Sequence, residues 1–304
     1  MMSMPSAAAD SLRGLALGDG FGERWFFRAN REAIEMIRAR QIPEDAPWHW
    51  TDDTAMALAI VRVLRGRGEI DPTELAAAFA ANYAADPYRG YGYGMTVLLP
   101  RFTAEPERWS DQARQLFEGQ GSLGNGAAMR VAPLGAWFGG DLDRACAQAR
   151  LSAQVTHAHP EGIAGAVAVA AAAALAAASR AGRAPAPAEF LRAAAERTPA
   201  GTVRDGLAAA AGLDQGTPPW QAADILGNGQ RISAPDTVPF ALWSAAHHLD
   251  DLPGALWTTA EGLGDVDTTC AIAAGVVSAR TGISGIPQRW LELAEPLPDW
   301  AREP

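Results

Sequence analysis

Cysteine is scarce in this chain. Cys146 and Cys270 are the only two among 304 residues, far apart and without metal-ligand spacing. A disulfide framework is therefore not indicated, and two buried thiols in a reducing compartment are expected. Basic clusters are missing too. The net charge is −10, which argues against a general nucleic-acid-binding surface. Neither β-type alternation nor a repeat period appears anywhere, so the pattern reads as all-α. The first ten residues have no basic n-region and no apolar core, so no secretory signal is expected. The longest apolar run, residues 162–178, contains only Ala, Val, Ile, Leu and Gly. It falls short of the roughly 20 residues of a bilayer span. A tightly packed central helix is expected instead, in a soluble, cytoplasmic protein with no membrane partner.

What is present is globular composition, 48% hydrophobic and 20% charged, with length enough for a sizeable core. We read one domain over residues 1–304, with the Ala/Pro-rich stretch 181–188 as a loop inside it. The first helix is expected to start near Asp10-Ser11 and to end at Gly18-Asp19-Gly20-Phe21-Gly22, with Asp19 in an Asx-turn. Asp71-Pro72-Thr73-Glu74 reads as a helix start, with a capping acid, a first-turn proline and a glutamate. His157 and His159 stand two apart, which does not suit a zinc pair on a helix; they are read as structural or ligand-contacting. His247-His248-Leu249-Asp250-Asp251 resembles a metal cluster but reads as a helix end followed by a solvated acidic turn. Residues 119–135 are glycine-rich and lead into small residues from Ala127. That suits either an anion site at a helix end or a loop that lets two helices pack closely.

The stretch with most chemistry is Thr51-Asp52-Asp53-Thr54, four oxygen-bearing side chains ahead of the apolar run 57–61. A helix N-terminus favours carboxylates, but capping explains only one acid and one hydroxyl. First-turn side chains project beyond the helix end, so these four form half of a hard-cation site. Asp265-Val266-Asp267-Thr268 repeats the arrangement ahead of another run of small apolar residues. Brought together, the four acids would repel by roughly 4 kcal/mol per pair at 4 Å and an effective dielectric near 20. Two divalent cations would balance them. Oxygen ligands without His or Cys point to Mg2+ or Mn2+ ahead of Ca2+.

Six segments stand in a telling order: Gly18-Asp19-x-x-Gly22, Thr51-Asp52-Asp53-Thr54-x-Met56, Arg89-Gly90-Tyr91-Gly92, Gly124-Asn125-Gly126-Ala127-Ala128-Met129-Arg130, Thr156-His157 and Asp265-x-Asp267-Thr268. Together they resemble the ADP-ribosylglycohydrolase family, over a motif-bearing core of about residues 14–282. The resemblance implies a compact all-α orthogonal helical bundle, two Mg2+ ions (Mn2+ as the substitute) in a cleft, and hydrolysis at the anomeric carbon of ADP-ribose. It implies Thr51, Asp52, Asp53, Asp265, Asp267 and Thr268 as metal ligands. It implies an ADP-ribose cradle from Arg89, Gly90, Tyr91 and Gly92 and from Gly121, Ser122, Leu123, Gly124 and Asn125. His157 lies near the substrate in this picture, and Asp19 belongs with the ligand-contacting residues. The partner is ADP-ribose or an ADP-ribosylated protein, nucleic acid or small molecule.

The chain departs from the family pattern at one place. Several relatives carry a glutamate four residues after the glycine matching Gly22, where this chain has Phe26; the nearby acid is Glu23. Asp53, Asp267 and Glu23 are therefore the candidate catalytic residues. Two other functions are compatible with parts of the pattern: an ADP-ribose-binding module without catalysis, and a metal-dependent phosphoesterase.

Overall fold

Glycines four residues apart decide how this chain packs. The computed structural model describes residues 2–28 and 30–302; the expected domain boundaries at 1 and 304 lie outside the described residues. In chain order the helices are α1 (Ser6–Glu23), α2 (Asn30–Arg38), α3 (Asp52–Arg67), α4 (Pro72–Ala85), α5 (Tyr93–Ala104) and α6 (Trp109–Gln115). Next come α7 (Gly126–Met129), α8 (Ala132–Trp137), α9 (Leu142–Gln154), α10 (Pro160–Ala178), α11 (Pro187–Arg197) and α12 (Thr202–Gly212). The last are α13 (Pro219–Leu226), α14 (Ala234–His247), α15 (Leu252–Ala260), α16 (Val266–Thr281), α17 (Gln288–Leu293) and α18 (Asp299–Arg302). Among the described residues, strand-like pairing is confined to two isolated bridges, Trp48 with Ala294 and Gly124 with Ser233. The all-α expectation holds.

Gly14, Gly18 and Gly22 lie on one face of α1, since residues four apart share a helix face. A Cβ at Gly14 would sit 1.9 Å from Ser278 Oγ, one at Gly18 2.4 Å from the Cys270 carbonyl oxygen, and one at Gly22 2.5 Å from Asp267 Cα. α1 therefore lies antiparallel against α16 with the two backbones touching, and Ser11 Oγ donates to the Gly275 carbonyl at 2.7 Å. This corrects the expected helix end. The glycines do not break α1, which runs through them to Glu23; their missing side chains serve close approach rather than a turn. The helix also begins earlier than expected, at Ser6 behind Pro5.

The alanine-rich α10 is the packed central helix that composition implied. It contacts α7, α8, α9, α11, α12, α14 and α16. A Cβ at Gly135 would lie 2.2 Å from the Ala170 carbonyl oxygen, and one at Gly165 2.6 Å from Ala234 Cβ. By length and composition α10 alone among the described helices could cross a membrane, but 83% of that stretch is buried inside the fold. Small side chains let its neighbours come close without leaving voids.

Local starts follow the sequence. Asp71 accepts from the Thr73 and Glu74 N–H groups at the head of α4, and Asp141 from Arg144 N–H at the head of α9. α14 ends at His247, and Asp251 is the cap of α15, accepting from Gly254 N–H. Asp250 pairs with Arg280 at 2.8 Å, so the acidic turn is employed rather than merely solvated. Cys270 is buried, whereas Cys146 is only half-buried.

Gly18→Ala is expected to destabilise the protein by about 1–3 kcal/mol through forced separation of α1 and α16. Gly66, in α3, has nothing within 4 Å of its Cβ position. There the same change is expected to stabilise by about 0.4–1 kcal/mol. Urea unfolding of both variants checks the contrast; a neutral Gly18→Ala contradicts the packing described.

Candidate functional site

The head of α3 has no cap from its own sequence: the Thr51 side chain, at the cap position, accepts no hydrogen bond from the helix's N–H groups. The cap comes from α1. Asp19 is fully buried, and its carboxylate accepts from Thr51 N–H at 3.0 and 2.9 Å and from Thr54 N–H at 3.1 Å. It also accepts from the hydroxyls of Thr51 at 2.8 Å and Thr54 at 2.6 Å. Burial pushes the Asp19 carboxyl up to about 6, against the pull of these hydrogen bonds. Both earlier readings of Asp19 are thereby corrected. It sits inside a helix rather than in an Asx-turn, and it holds α3 instead of facing a ligand.

The close contact of α1 with α16 carries the second acid cluster to the same place. Asp265 immediately precedes α16 and Asp267 lies in its first turn. Asp265 is clamped from the other side. Asn125 Nδ2 donates to its Oδ2 at 2.6 Å and to Thr237 Oγ1 at 3.0 Å, while Asp265 N–H reaches the Asn228 carbonyl at 3.0 Å. Asp52, Asp53, Asp265, Asp267 and Thr268 thus form one wall of a cleft of about 580 Å³. The same cleft is lined by Gly121, Ser122, Leu123, Gly124 and Asn125, by His157, and by Gly90 and Gly92. Thr51 stands behind the wall, its hydroxyl between Asp19 at 2.8 Å and Asp53 Oδ2 at 3.0 Å. One hydroxyl proton cannot serve two carboxylates, so the Thr51–Asp53 contact needs a proton on Asp53 or a cation nearby.

The electrostatics tell the same story. Burial first, then the charges of Asp19 and Asp265, pushes Asp52 up to about 8. Asp53 and Asp267 are raised well above the ordinary carboxyl range, by burial and then by their acidic neighbours. Asp265 is raised by burial in spite of its bond from Asn125. Four carboxyls in such a place resist ionising together. Asp53 Oδ1 and Asp267 Oδ1 are buried without any hydrogen-bond partner, and leaving such oxygens unpaired is costly. Two orphaned oxygens in an all-oxygen donor set fit hard divalent cations. Among the described residues no three acidic, His or Cys side chains close around a single point. An ion here would therefore draw also on Thr51, Thr268 and water, in keeping with the water-rich shells of Mg2+.

Of the remaining expected residues, those of the glycine-rich loop line the cleft. Gly121 adopts φ +72°, and a Cβ there would be 2.7 Å from Ala158 Cβ. The loop closes on itself through Gly124 N–H to Ser122 Oγ at 3.1 Å, and Ala234 N–H holds it by the Leu123 carbonyl at 3.0 Å. The helix after it is a single turn, α7, whose Ala128 and Met129 N–H groups bond the Asn125 carbonyl. The loop packs tightly, as one of its two readings has it, and it also lines the cleft.

Arg89 and Tyr91 are corrections. The Arg89 guanidinium donates to both Glu295 oxygens and to the Trp50 carbonyl, each at 2.8 Å. It stacks 3.6 Å from the centre of the Trp50 ring. Tyr91 is buried edge-on against Tyr83. Neither lines the cleft; the neighbouring glycines do. Gly90, at φ +84°, brings backbone within reach of the acids: a Cβ there would lie 3.8 Å from Thr51 Cβ and 3.9 Å from Asp52 Oδ1.

Glu23 ends α1 outside the cleft lining, half-buried, and is pushed up to about 7 by burial and then by Asp19. Phe26 and Phe27 beyond it are exposed, on a turn pinned by Arg24 and Arg28 to Asp45. Sequence reasoning missed the mouth of the cleft, formed by Tyr93, Phe117 and Ile232. All three are exposed. Two of them sit at positive φ, Phe117 at 52° and Ile232 at 50°, a backbone state that no pattern in these residues announces.

The Arg89–Glu295 pair yields a pH prediction. Burial opposes ionisation of Glu295, but the hydrogen bonds from Arg89 and His49 prevail and hold its carboxyl below the ordinary 4.5. Its stabilising contribution is present above that value and is lost as pH falls through the depressed one. Glu295→Gln is expected to cost about 1–3 kcal/mol at neutral pH, with the difference from wild type shrinking below pH 4.5. Urea unfolding across that range checks it.

Comparisons with known proteins place the chain. The sequence model of the ADP-ribosylglycohydrolase family matches residues 3–303. ADP-ribosylhydrolase ARH3 of Bos taurus is 37% identical over 167 residues, which cover 51% of this chain and 46% of that protein. The Homo sapiens protein of the same name is 36% identical over 167 residues, with the same coverage. That of Mus musculus is 42% identical over 120 residues, 39% of this chain and 32% of the relative. The matched region thus spans less than half the length of these relatives. A solved structure described as an ADP-ribosylglycohydrolase-related protein complex superposes with a TM-score of 0.61 at 23% identity. It covers 95% of this chain and 92% of that one, a likeness of fold. With the family match running nearly end to end over a fold of the same kind, the chain belongs to the ADP-ribosylglycohydrolase family.

Proposed function

We propose that this protein hydrolyses the glycosidic bond at the anomeric carbon of an ADP-ribosyl group, with two Mg2+ ions in the acidic wall of the cleft. The observation that carries this reading is the meeting of two acid–hydroxyl clusters, from α3 and α16, in a cleft that a glycine-rich loop also lines. Family membership and the likeness to the ARH3 proteins support it.

Thr51, Asp52, Asp53, Asp265, Asp267 and Thr268 would hold the ions. Mg2+ held there would supply Lewis acidity and would lower the pKa of a water molecule in the cleft. The chain itself does the rest. The loop 121–125, which lines the cleft with the Ser122 side chain among it, is where a diphosphate and ribose would be held. Carboxylates around the anomeric carbon stabilise the positive charge of an oxocarbenium-like transition state. Asp53 and Asp267, each with an unpartnered buried Oδ1, can orient the water or take its proton. Glu23, whose carboxyl is pushed up to about 7, is matched to proton transfer near neutral pH and sits beside the exposed Phe26 and Phe27.

Release of ADP-ribose from defined linkages to arginine, serine, nucleobase and phosphate, assayed with Mg2+ and with EDTA, tests the proposal. At least one linkage is expected to be cleaved, and EDTA is expected to abolish cleavage. Asp52→Ala and Asp267→Ala should each lose at least about a hundredfold, the scale of removing one electrostatic stabiliser of a transition state. Glu23→Gln should lose about 10²–10⁴-fold if it moves the proton. Wild-type rates in both aspartate variants, or turnover indifferent to EDTA, would sink the reading.

A further inference from the structure

Behind the cleft lies a fully buried arginine with no ion-pair partner among the described residues. Arg130 Nη2 donates to the Ser152 carbonyl at 3.1 Å and to Thr156 Oγ1 at 2.8 Å. Its Nη1 faces Met56 Sδ at 3.5 Å, and the guanidinium lies 4.4 Å from the centre of the Phe79 ring. Thr156, also fully buried, is next in line, with its Oγ1 2.7 Å from His157 Nδ1. The ring of His157 is held on two sides by glycines. Cβ positions at Gly162 would lie 3.2 and 3.3 Å from its Cβ and Cδ2, and those at Gly124 and Gly126 3.4 and 3.3 Å from its Nε2. Side chains at these three positions would crowd the ring, so the glycines leave room for it where it lines the cleft together with the loop 121–125.

The direction of the hydrogen bonds follows by elimination. An arginine only donates, so Thr156 Oγ1 accepts from Arg130. The threonine hydroxyl carries one proton of its own, and His157 Nδ1 is its only acceptor among the described residues. Leaving a buried O–H unused is costly, so the hydroxyl donates to Nδ1. In a neutral imidazole the other nitrogen then bears the hydrogen. We infer that Arg130, acting through Thr156, is a positioning residue that locks His157 as the Nε2–H tautomer and presents that N–H to an anionic oxygen of the ligand in the cleft.

Burial and the Arg130 charge both disfavour a second proton on the ring, pushing His157 down to about 3. Burial lowers Arg130 only to about 9, so the guanidinium stays charged at neutral pH. A charged donor at the head of the chain polarises the hydroxyl and, through it, the imidazole. The outcome is a hydrogen-bond donor of fixed direction that needs no titration to act. Its role toward the ligand rests on the ADP-ribosyl reading above; the tautomer itself does not.

Long-range 15N–1H NMR of protein labelled in histidine, with the His157 signals assigned from His157→Gln, reads the tautomer directly. The wild type is expected to show protonated Nε2 and bare Nδ1 at neutral pH. Thr156→Val should give mixed tautomers and weaken ADP-ribose binding by about tenfold in calorimetry, the scale of one hydrogen bond. Thr156→Ser, which keeps the hydroxyl, should restore both. Protonated Nδ1 in the wild type overturns the proposal without recourse to any variant. So does wild-type affinity in Thr156→Val. A wild type that does not bind ADP-ribose removes the functional reading and the ligand role with it, while the spectra still decide the tautomer.

Discussion

The contact on which the structure depends is that of α1 with α16. Three glycines on α1 let the two backbones touch, and nothing larger than glycine fits there. Because the helices are antiparallel, the end of α1 meets the head of α16. Asp19 and Glu23 are thereby placed beside Asp265 and Asp267, although most of the chain lies between them. A looser contact would keep the helices but widen the distance between the two acid clusters, and the cleft wall would cease to be continuous.

Asp19 converts that contact into a site. Its carboxylate holds both the backbone and the hydroxyls of Thr51 and Thr54, so α3 begins where α1 dictates. A buried carboxylate with this many donors is fully satisfied, which makes it a rigid fixture rather than a reactive group. Asn125 does the same for Asp265 from the glycine-rich loop. The loop is thereby tied to the acid cluster of α16 by a short hydrogen bond. The orphaned oxygens of Asp53 and Asp267 are what remain for a cation.

Charge is the other organising constraint. The acids of the wall are raised because burial and mutual repulsion act together. Arg130, a fully buried cation near them, contacts Met56 and bonds Thr156, whose hydroxyl meets His157. The cleft therefore has two characters: an acidic wall suited to cations and a loop side backed by a polarised N–H suited to anions. A ligand carrying both a sugar and a diphosphate matches that division.

Much of this was legible in the residues. The helical pattern, the caps at Asp71 and Asp141, the small-residue helix α10 and the two acid–hydroxyl clusters all follow from local rules of spacing and hydrogen bonding. The ordered motifs pointed to the family, and the match over residues 3–303 bears that out. What the residues could not say was which partner each polar group would find. Gly18 and Gly22 read as a turn because glycine permits one; only the presence of α16 makes them a packing face. Asp19 read as an Asx-turn, and Arg89 as a ligand contact, because their partners Thr51, Thr54 and Glu295 lie far away in sequence. The positive-φ Phe117 and Ile232 at the cleft mouth are set by the packing of loops against one another. Local propensity and pattern are properties of the chain, whereas hydrogen-bond partners, burial and charge compensation are properties of what the fold brings near.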